Sequence, residues 1–182
     1  METESNPAGT SRQDELYEEA ASAFGPPLER LARGYEADPT RRRDLLQEVH
    51  LALWQSLASF DGRCSLRTWV YRVAHNVATS HMIRDRRFNA RTLVGLDEVD
   101  PPSTEQDGER LVDQHLALEK LVRLIHQLAP VDRQVILSYL EGLDAVSIAE
   151  ITGISPGNVA TKIHRIKNVL ARRFHDGGRH GQ

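Results

Sequence analysis

The segment SPGNVATKIHRIKNVLARRF, residues 155–174, holds Lys162, Arg165, Lys167, Arg172 and Arg173 and no acid, in a chain of net charge −3. Cations left without acids pair well with phosphate oxygens. Their spacing adds more. Val159, Ile163, Ile166 and Leu170 recur at intervals of 4, 3 and 4 residues, which makes one apolar helix face. The opposite face presents Gly157, Asn158, Thr161, His164, Arg165 and Asn168, with Ala160 and Lys162 at its flanks. In a major groove, Asn and Arg bond base edges in pairs and Thr bonds them singly. Lys162, Lys167, Arg172 and Arg173 are left for the phosphates.

The preceding residues, DAVSIAEITGI, supply what would position that helix. Asp144 can cap a short helix over 145–152, and Gly153 permits a tight turn. Ser155 can cap the next helix, with Pro156 at its first position, where a missing N–H costs nothing. Helix, glycine turn, helix is the pattern of a helix-turn-helix. By itself it points to DNA binding and no further, and the bland alternative is a solvated basic face.

A second constellation lies in DLLQEVHLALWQSLASFDGRCSLRTWVYRVAHNVATSHMIRDRR, residues 44–87. Its first half predicts a helix over 44–60, with Leu45, Val49, Leu53 and Leu57 inside and an acidic and amide edge of Asp44, Gln47 and Glu48. Phe60-Asp61-Gly62-Arg63 breaks it. Ser65 can cap a second helix over 65–87 whose apolar face is Leu66, Val70, Val73 and Val77. On that helix Arg67, Trp69, Tyr71, Arg72, Arg84, Arg86 and Arg87 face one acid, Asp85. Aromatics among arginines suit single-stranded nucleic acid, where bases stack and phosphates pair. Trp69 taken alone fits a core position equally well.

The charge is segregated along the chain. Residues 1–40 carry −6, 41–91 carry +6, 92–119 carry −7 and 120–182 carry +4. Two basic blocks separated by an acidic one point to two contacts with a polyanion. No strand alternation bounded by hairpin turns occurs, so the fold class expected is all-α. Upstream, 16–35 predicts one or two helices interrupted at Gly25-Pro26-Pro27, and Asp38-Pro39 a turn. Further helices are expected near 109–128 and 132–141, with a break at Ala129-Pro130. The stretch LVGLDEVDPPSTEQDG lacks periodicity and predicts an acidic flexible linker over 93–109. The domains expected are 15–92 and 110–174, each with a thin core, flanked by a disordered N-terminus at 1–14 and a disordered tail at 175–182.

Other classes of function are disfavoured. Eight histidines invite a metal reading, but His75 and His81 stand six apart, and no carboxylate cluster at ligand spacing or phosphate-binding glycine loop is legible. No metal, cofactor or catalytic residue is therefore expected. The one cysteine, Cys64, excludes an intramolecular disulfide; it reads as an incidental buried thiol rather than a redox sensor. The N-terminus lacks the basic start and apolar middle of a signal peptide, and no run of about 18 apolar residues is present. A cytoplasmic protein without membrane insertion is expected.

The two constellations together resemble the extracytoplasmic-function (ECF) sigma factors, the small two-domain members of the sigma-70 family of RNA polymerase subunits. DLLQEVHLALWQSLASF resembles that family's region 2.2, and SLRTWVYRVAHNVATSHMIRDRR its regions 2.3 and 2.4. LAPVDRQVILSYLEGLDAVSIAEITGISPGNVATKIHRIKNVLARRF resembles its region 4. The resemblance implies a sigma2-like helical bundle and a sigma4-like helix-turn-helix domain. It implies a non-catalytic initiation subunit that binds core RNA polymerase, at the β′ clamp helices and β flap, and promoter DNA, with an anti-sigma factor as a further partner. Asp44, Gln47, Glu48 and His50 would dock on the clamp helices. Phe60, Arg63 and Ser65 would capture a flipped base of the −10 element. Arg67, Trp69, Tyr71, Arg72 and Asn76 would hold the opened non-template strand. Asn158, Ala160, Thr161, Lys162, His164 and Arg165 would read the −35 element.

Ala160 stands where the family commonly has a basic residue, Asn158 where it has Thr or Ser, and Ala145-Val146-Ser147 where it often has Tyr-Glu-Glu. No regulatory domain is expected after Phe174. The alternative is a stand-alone helix-turn-helix regulator, which would need neither the acidic edge nor the arginine–aromatic helix.

Energetics set a limit on what such a chain does alone. Melting on the order of ten base steps costs about 14 kcal/mol, at roughly 1.4 kcal/mol per step. Each base–aromatic stack returns only ~1–3 kcal/mol, and aromatic residues make up 5% of the chain. Promoter opening therefore requires the polymerase.

Overall fold

The structure, a computed structural model, describes the backbone over residues 7–92 and 109–176, and side chains over 12–85 and 114–175. The described residues form seven helices and no strand: α1 (Pro7–Arg33), α2 (Pro39–Leu57), α3 (Leu66–Thr92), α4 (Glu109–His126), α5 (Pro130–Leu140), α6 (Ala145–Thr152) and α7 (Pro156–Asp176). The expected linker, apart from Glu109, and residues 177–182 lie outside the described residues.

Helix α1 starts at Pro7, within the stretch expected to be disordered, and runs unbroken through Pro26 and Pro27. A proline pair removes two backbone donors. Burial of Ala20, Leu28, Leu31 and Ala32 on either side holds the helix through the gap. Asp38-Pro39, expected as a turn, is instead the start of α2. Asp38 Oδ1 accepts from the amides of Thr40 at 2.9 Å and Arg41 at 2.8 Å, with Pro39 in the first turn. The inward row of α2 is the expected one, Leu45, Val49, Leu53 and Leu57.

Helix α3 is capped by Ser65, whose hydroxyl accepts from the Thr68 amide at 3.0 Å. Its expected apolar row is only partly buried. A second row, Tyr71, Ala74, His75, Ala78 and Met82, is buried as well. The reason is that α3 packs between α1 and α2 on one side and α5 and α6 on the other. The two halves therefore share one apolar cluster instead of keeping separate cores. Gly34 marks a close approach between them, since a Cβ there would meet Leu137 Cδ2 at 2.6 Å.

Helix α5 opens on Pro130 and ends in a glycine turn. Gly142 adopts φ 75°, while the Leu143 amide reaches the Ser138 carbonyl at 3.1 Å. Asp144 then caps α6 through the Ser147 amide at 2.7 Å, and Gly153, φ 74°, ends it. Ser155 caps α7 through the Asn158 amide at 3.3 Å. Val159, Ile166 and Leu170 are buried and Ile163 half-buried, as the spacing requires.

Candidate nucleic-acid and polymerase interfaces

The outward face of α7 exposes Asn158, Ala160, Thr161, His164, Arg165 and Asn168, with Lys162 half-buried. These are the residues the sequence places on the outward face of that helix. Its groups are partly engaged within the chain. Thr161 donates its hydroxyl to the Gly157 carbonyl at 3.0 Å, and His164 Nε2 lies 3.0 Å from Asn168 Nδ2. Lys162 Nζ donates to Asp132 Oδ1 at 2.6 Å, and Arg165 Nη2 to Asp132 Oδ2 at 2.8 Å. Asp132, in the first turn of α5, thus fixes two cations of α7. It was missed in the sequence because its partners lie 30 and 33 residues away.

The residues expected to meet single-stranded DNA fall into separate places. Around the loop after α2, Phe60 stands edge-on to Trp69 with centroids 5.4 Å apart, and Trp69 donates Nε1 to Ser56 Oγ at 3.0 Å. Arg72 lies over the Trp69 ring at 5.8 Å, and Arg63 pairs with Asp61 at 2.9 Å. Asp61, Arg63, Cys64, Trp69, Arg72 and Glu150 line one open pocket there. Cys64 is half-buried, neither the fully buried thiol expected nor an open one. Ser65 is used as the cap of α3.

Arg67 and Tyr71 form a second group, beneath the turn after α5. Tyr71 is 1% exposed, which corrects its expected place on an open strand-binding surface. Its hydroxyl donates to Glu141 Oε2 at 3.2 Å. Burial and the Glu141 charge push its pKa up to about 12. Arg67 lies over the Tyr71 ring and donates Nη2 to the Glu141 carbonyl. Asn76 belongs to a third place, a groove between α2 and α3 lined also by Glu48, Leu51, Gln55, Ser80 and Arg84.

The α2 edge presents Asp44, Gln47 and Glu48 to solvent. Glu48 accepts from Arg84 Nη2 at 2.5 Å. His50 is turned away from that edge: it is half-buried, with Nδ1 3.0 Å from the Tyr17 hydroxyl of α1. The edge is continued instead by Leu51, which is 58% exposed, and Gln55. An apolar residue in a polar row was the available signal for Leu51.

A carboxylate and histidine cluster does form, contrary to expectation. Glu36 Oε2 lies 3.5 Å from His81 Nε2, and Asp85 Oδ2 lies 3.8 Å from the same nitrogen. Sequence spacing could not reveal it, because Glu36 comes from the connection between α1 and α2 and the other two from α3. Arg41 pairs with both acids, so a guanidinium already occupies the space a cation would need.

Comparison with known proteins finds family models over both halves of the chain. Residues 21–88 match the family model for sigma-70 region 2, and residues 118–170 that for sigma-70 region 4. The chain is 31% identical over 135 residues to RNA polymerase sigma factor YlaC of Bacillus subtilis, covering 72% of this chain and 76% of that protein. It is 28% identical over 140 residues to the ECF RNA polymerase sigma factor SigX of the same species, covering 75% and 72%. Among solved structures, the sigma factor RpoE of Bartonella quintana, in complex with the anti-sigma factor NepR, shares the fold at TM-score 0.66 and 20% identity over 86% of this chain and 94% of that one. CnrH, in complex with the cytosolic domain of CnrY, does so at TM-score 0.63 and 22% identity over 93% and 94%. Matched in both sigma-70 region 2 and sigma-70 region 4, and 31% identical to a sigma factor over most of both chains, the chain belongs to the ECF subfamily of sigma-70 RNA polymerase sigma factors.

Proposed function

We propose that this sigma factor docks on core RNA polymerase through the α2 edge, with Asp44, Gln47, Glu48 and Leu51 against the β′ clamp helices, and meets the β flap through its region 4. The Phe60–Trp69–Arg72 group and Arg67 then take the flipped base and the non-template strand of the −10 element, and the buried Tyr71 joins them only once the turn after α5 has moved off it. The face of α7, centred on Asn158, Thr161 and Arg165, reads the −35 element, and the flanking cations hold phosphates. The chain contributes positioning and no covalent chemistry. It works in the cytoplasm, and among the described residues no helix is long and apolar enough to cross a membrane. An anti-sigma factor is its expected inhibitor, by analogy with the complexes named for its structural neighbours.

The observation that carries the reading is the coexistence in one chain of a capped helix-turn-helix and an exposed Asp44–Gln47–Glu48 edge, whose Glu48 also pairs with Arg84. A stand-alone regulator leaves that edge and the arginine–aromatic helix without purpose. The test is co-elution of the full chain with bacterial core RNA polymerase, beside the variant Asp44→Ala/Gln47→Ala/Glu48→Ala. Retention of the native chain and loss of the triple variant is the expected result. A native chain that does not co-elute refutes it.

A further inference from the structure

We propose that Glu141 acts as an intramolecular stand-in for a DNA phosphate, and that its grip holds the free sigma factor in a closed form in which α3 cannot take the non-template strand. The proposal rests on the assignment of Arg67 and Tyr71 to strand binding made above.

The geometry around Glu141 is that of an anion site. Arg30 donates Nε to Oε1 at 2.8 Å and Nη2 to Oε2 at 2.7 Å, the bidentate fork that guanidinium offers to carboxylate and phosphate alike. Tyr71 donates to Oε2, and Arg67 donates to the carbonyl of the same residue. The side chain of Glu141 is left 12% exposed. One acidic residue of region 4 therefore engages three residues of region 2, two through its carboxylate and Arg67 through its carbonyl. Nearby, Glu150 of α6 lies 3.8 Å from Arg72, so a second acid faces a second strand-binding arginine.

The backbone is shaped for this contact. Gly142 turns the chain at φ 75°, directly after Glu141, and a Cβ on it would come within 3.8 Å of Arg67 Nη2. The same docking buries Tyr71 and joins Gln134 Nε2 to Thr79 Oγ1 at 3.1 Å across the two halves. A strand phosphate and the Glu141 carboxylate need the same donors, so they compete for them. Core polymerase, by binding the two halves at separate places, would remove the competitor and expose α3.

The test uses the full chain in a Cys64→Ser background. A 5′-fluorescein single-stranded DNA of mixed sequence reports strand binding by anisotropy. Dyes at Ala23→Cys and Ala171→Cys report the distance between the halves by energy transfer. Glu141→Gln keeps the side-chain shape and removes the charge. It is expected to lower transfer and to tighten strand binding by roughly tenfold or more, the size of one charge-assisted hydrogen bond. A Thr79→Cys/Gln134→Cys disulfide added to Glu141→Gln is expected to abolish that gain, and reduction to restore it.

Unchanged strand affinity in Glu141→Gln overturns the proposal, as does strand binding by the oxidised form equal to that of the reduced form. Energy transfer in the native chain no higher than in Glu141→Gln overturns the closed packing itself. Retention by core polymerase is measured separately on the native chain. Loss of retention refutes the proposed function while leaving the distance measurement intact, so the two failures are distinguishable.

Discussion

His75 of α3 and Ser138 of α5 meet across the boundary between the two halves, with Nε2 2.9 Å from the Ser138 hydroxyl, while Nδ1 lies 2.9 Å from the hydroxyl of Tyr35. Both ring nitrogens are satisfied only while region 4 is docked. The ring is fully buried, and burial lowers its pKa to about 3. Arg133, whose guanidinium lies over the Tyr35 ring, and Tyr71, tilted against the imidazole, pack around it.

That arrangement sets the sign of a pH dependence. An opened His75 titrates near its ordinary value of about 6.5, while the closed one stays neutral down to about 3. Protons therefore bind the open form. The closed form keeps its full advantage above about pH 6.5 and loses up to about tenfold per pH unit below it. His126, also lowered by burial and bonded to the Arg33 carbonyl, adds in the same direction. Energy transfer between the halves is expected to fall from pH 7.5 to 5.0 in the native chain. His75→Asn is expected to flatten most of that slope; an unchanged slope would assign it elsewhere.

What could be read in the sequence follows the range of each interaction. The helix-turn-helix was legible because Asp144, Ser155 and Gly153 act within three or four residues of themselves. The inward rows of α2 and α7 were legible from helical periodicity alone. The second buried row of α3 was not, because its partners on α5 and α6 arrive from beyond the linker. Asp132 and Glu141 stayed hidden for the same reason, since Glu141 bonds Tyr71 and Arg30 from 70 and 111 residues away. The proline pair misled because local propensity is overridden where flanking residues are buried.

The two halves share one apolar cluster, which is expected to couple their unfolding. Ile148 on α6 is fully buried, so Ile148→Ala is expected to cost about 2–5 kcal/mol. Both tryptophans, Trp54 and Trp69, lie in the other half. If the halves unfold together, urea melts followed by tryptophan fluorescence must shift to lower midpoint in this variant. A tryptophan midpoint that stays put, while far-ultraviolet dichroism shifts, would show two independent units.

Asp132 restrains two cations of α7 that the proposed reading assigns to DNA. With Lys162 and Arg165 both paired to it, part of their charge is spent inside region 4. Asp132→Asn is expected to cost about 1 kcal/mol of stability, a modest ion-pair contribution. It is also expected to raise duplex binding several-fold without regard to sequence. The slope of log affinity against log salt should steepen by about one to two. Titration of a mixed-sequence duplex at several salt concentrations decides it, and an unchanged slope means the pair was already free to reach phosphate.

The polymerase edge can be mapped by contrasting His50 with Leu51. His50 bonds Tyr17 and packs against its ring, so its work is to hold α1 on α2. Leu51 is exposed beside Glu48 and Gln55 and contributes little to the fold, yet an apolar side chain at the middle of a polar edge is the kind of anchor that dominates a protein interface. His50→Ala is therefore expected to lower the melting temperature while leaving affinity for core polymerase within about twofold, a difference well under 1.4 kcal/mol. Leu51→Ala is expected to leave the melting temperature unchanged and weaken core binding about tenfold or more. The reverse pattern would move the docking surface from the Asp44–Glu48–Leu51 row to the seam between α1 and α2.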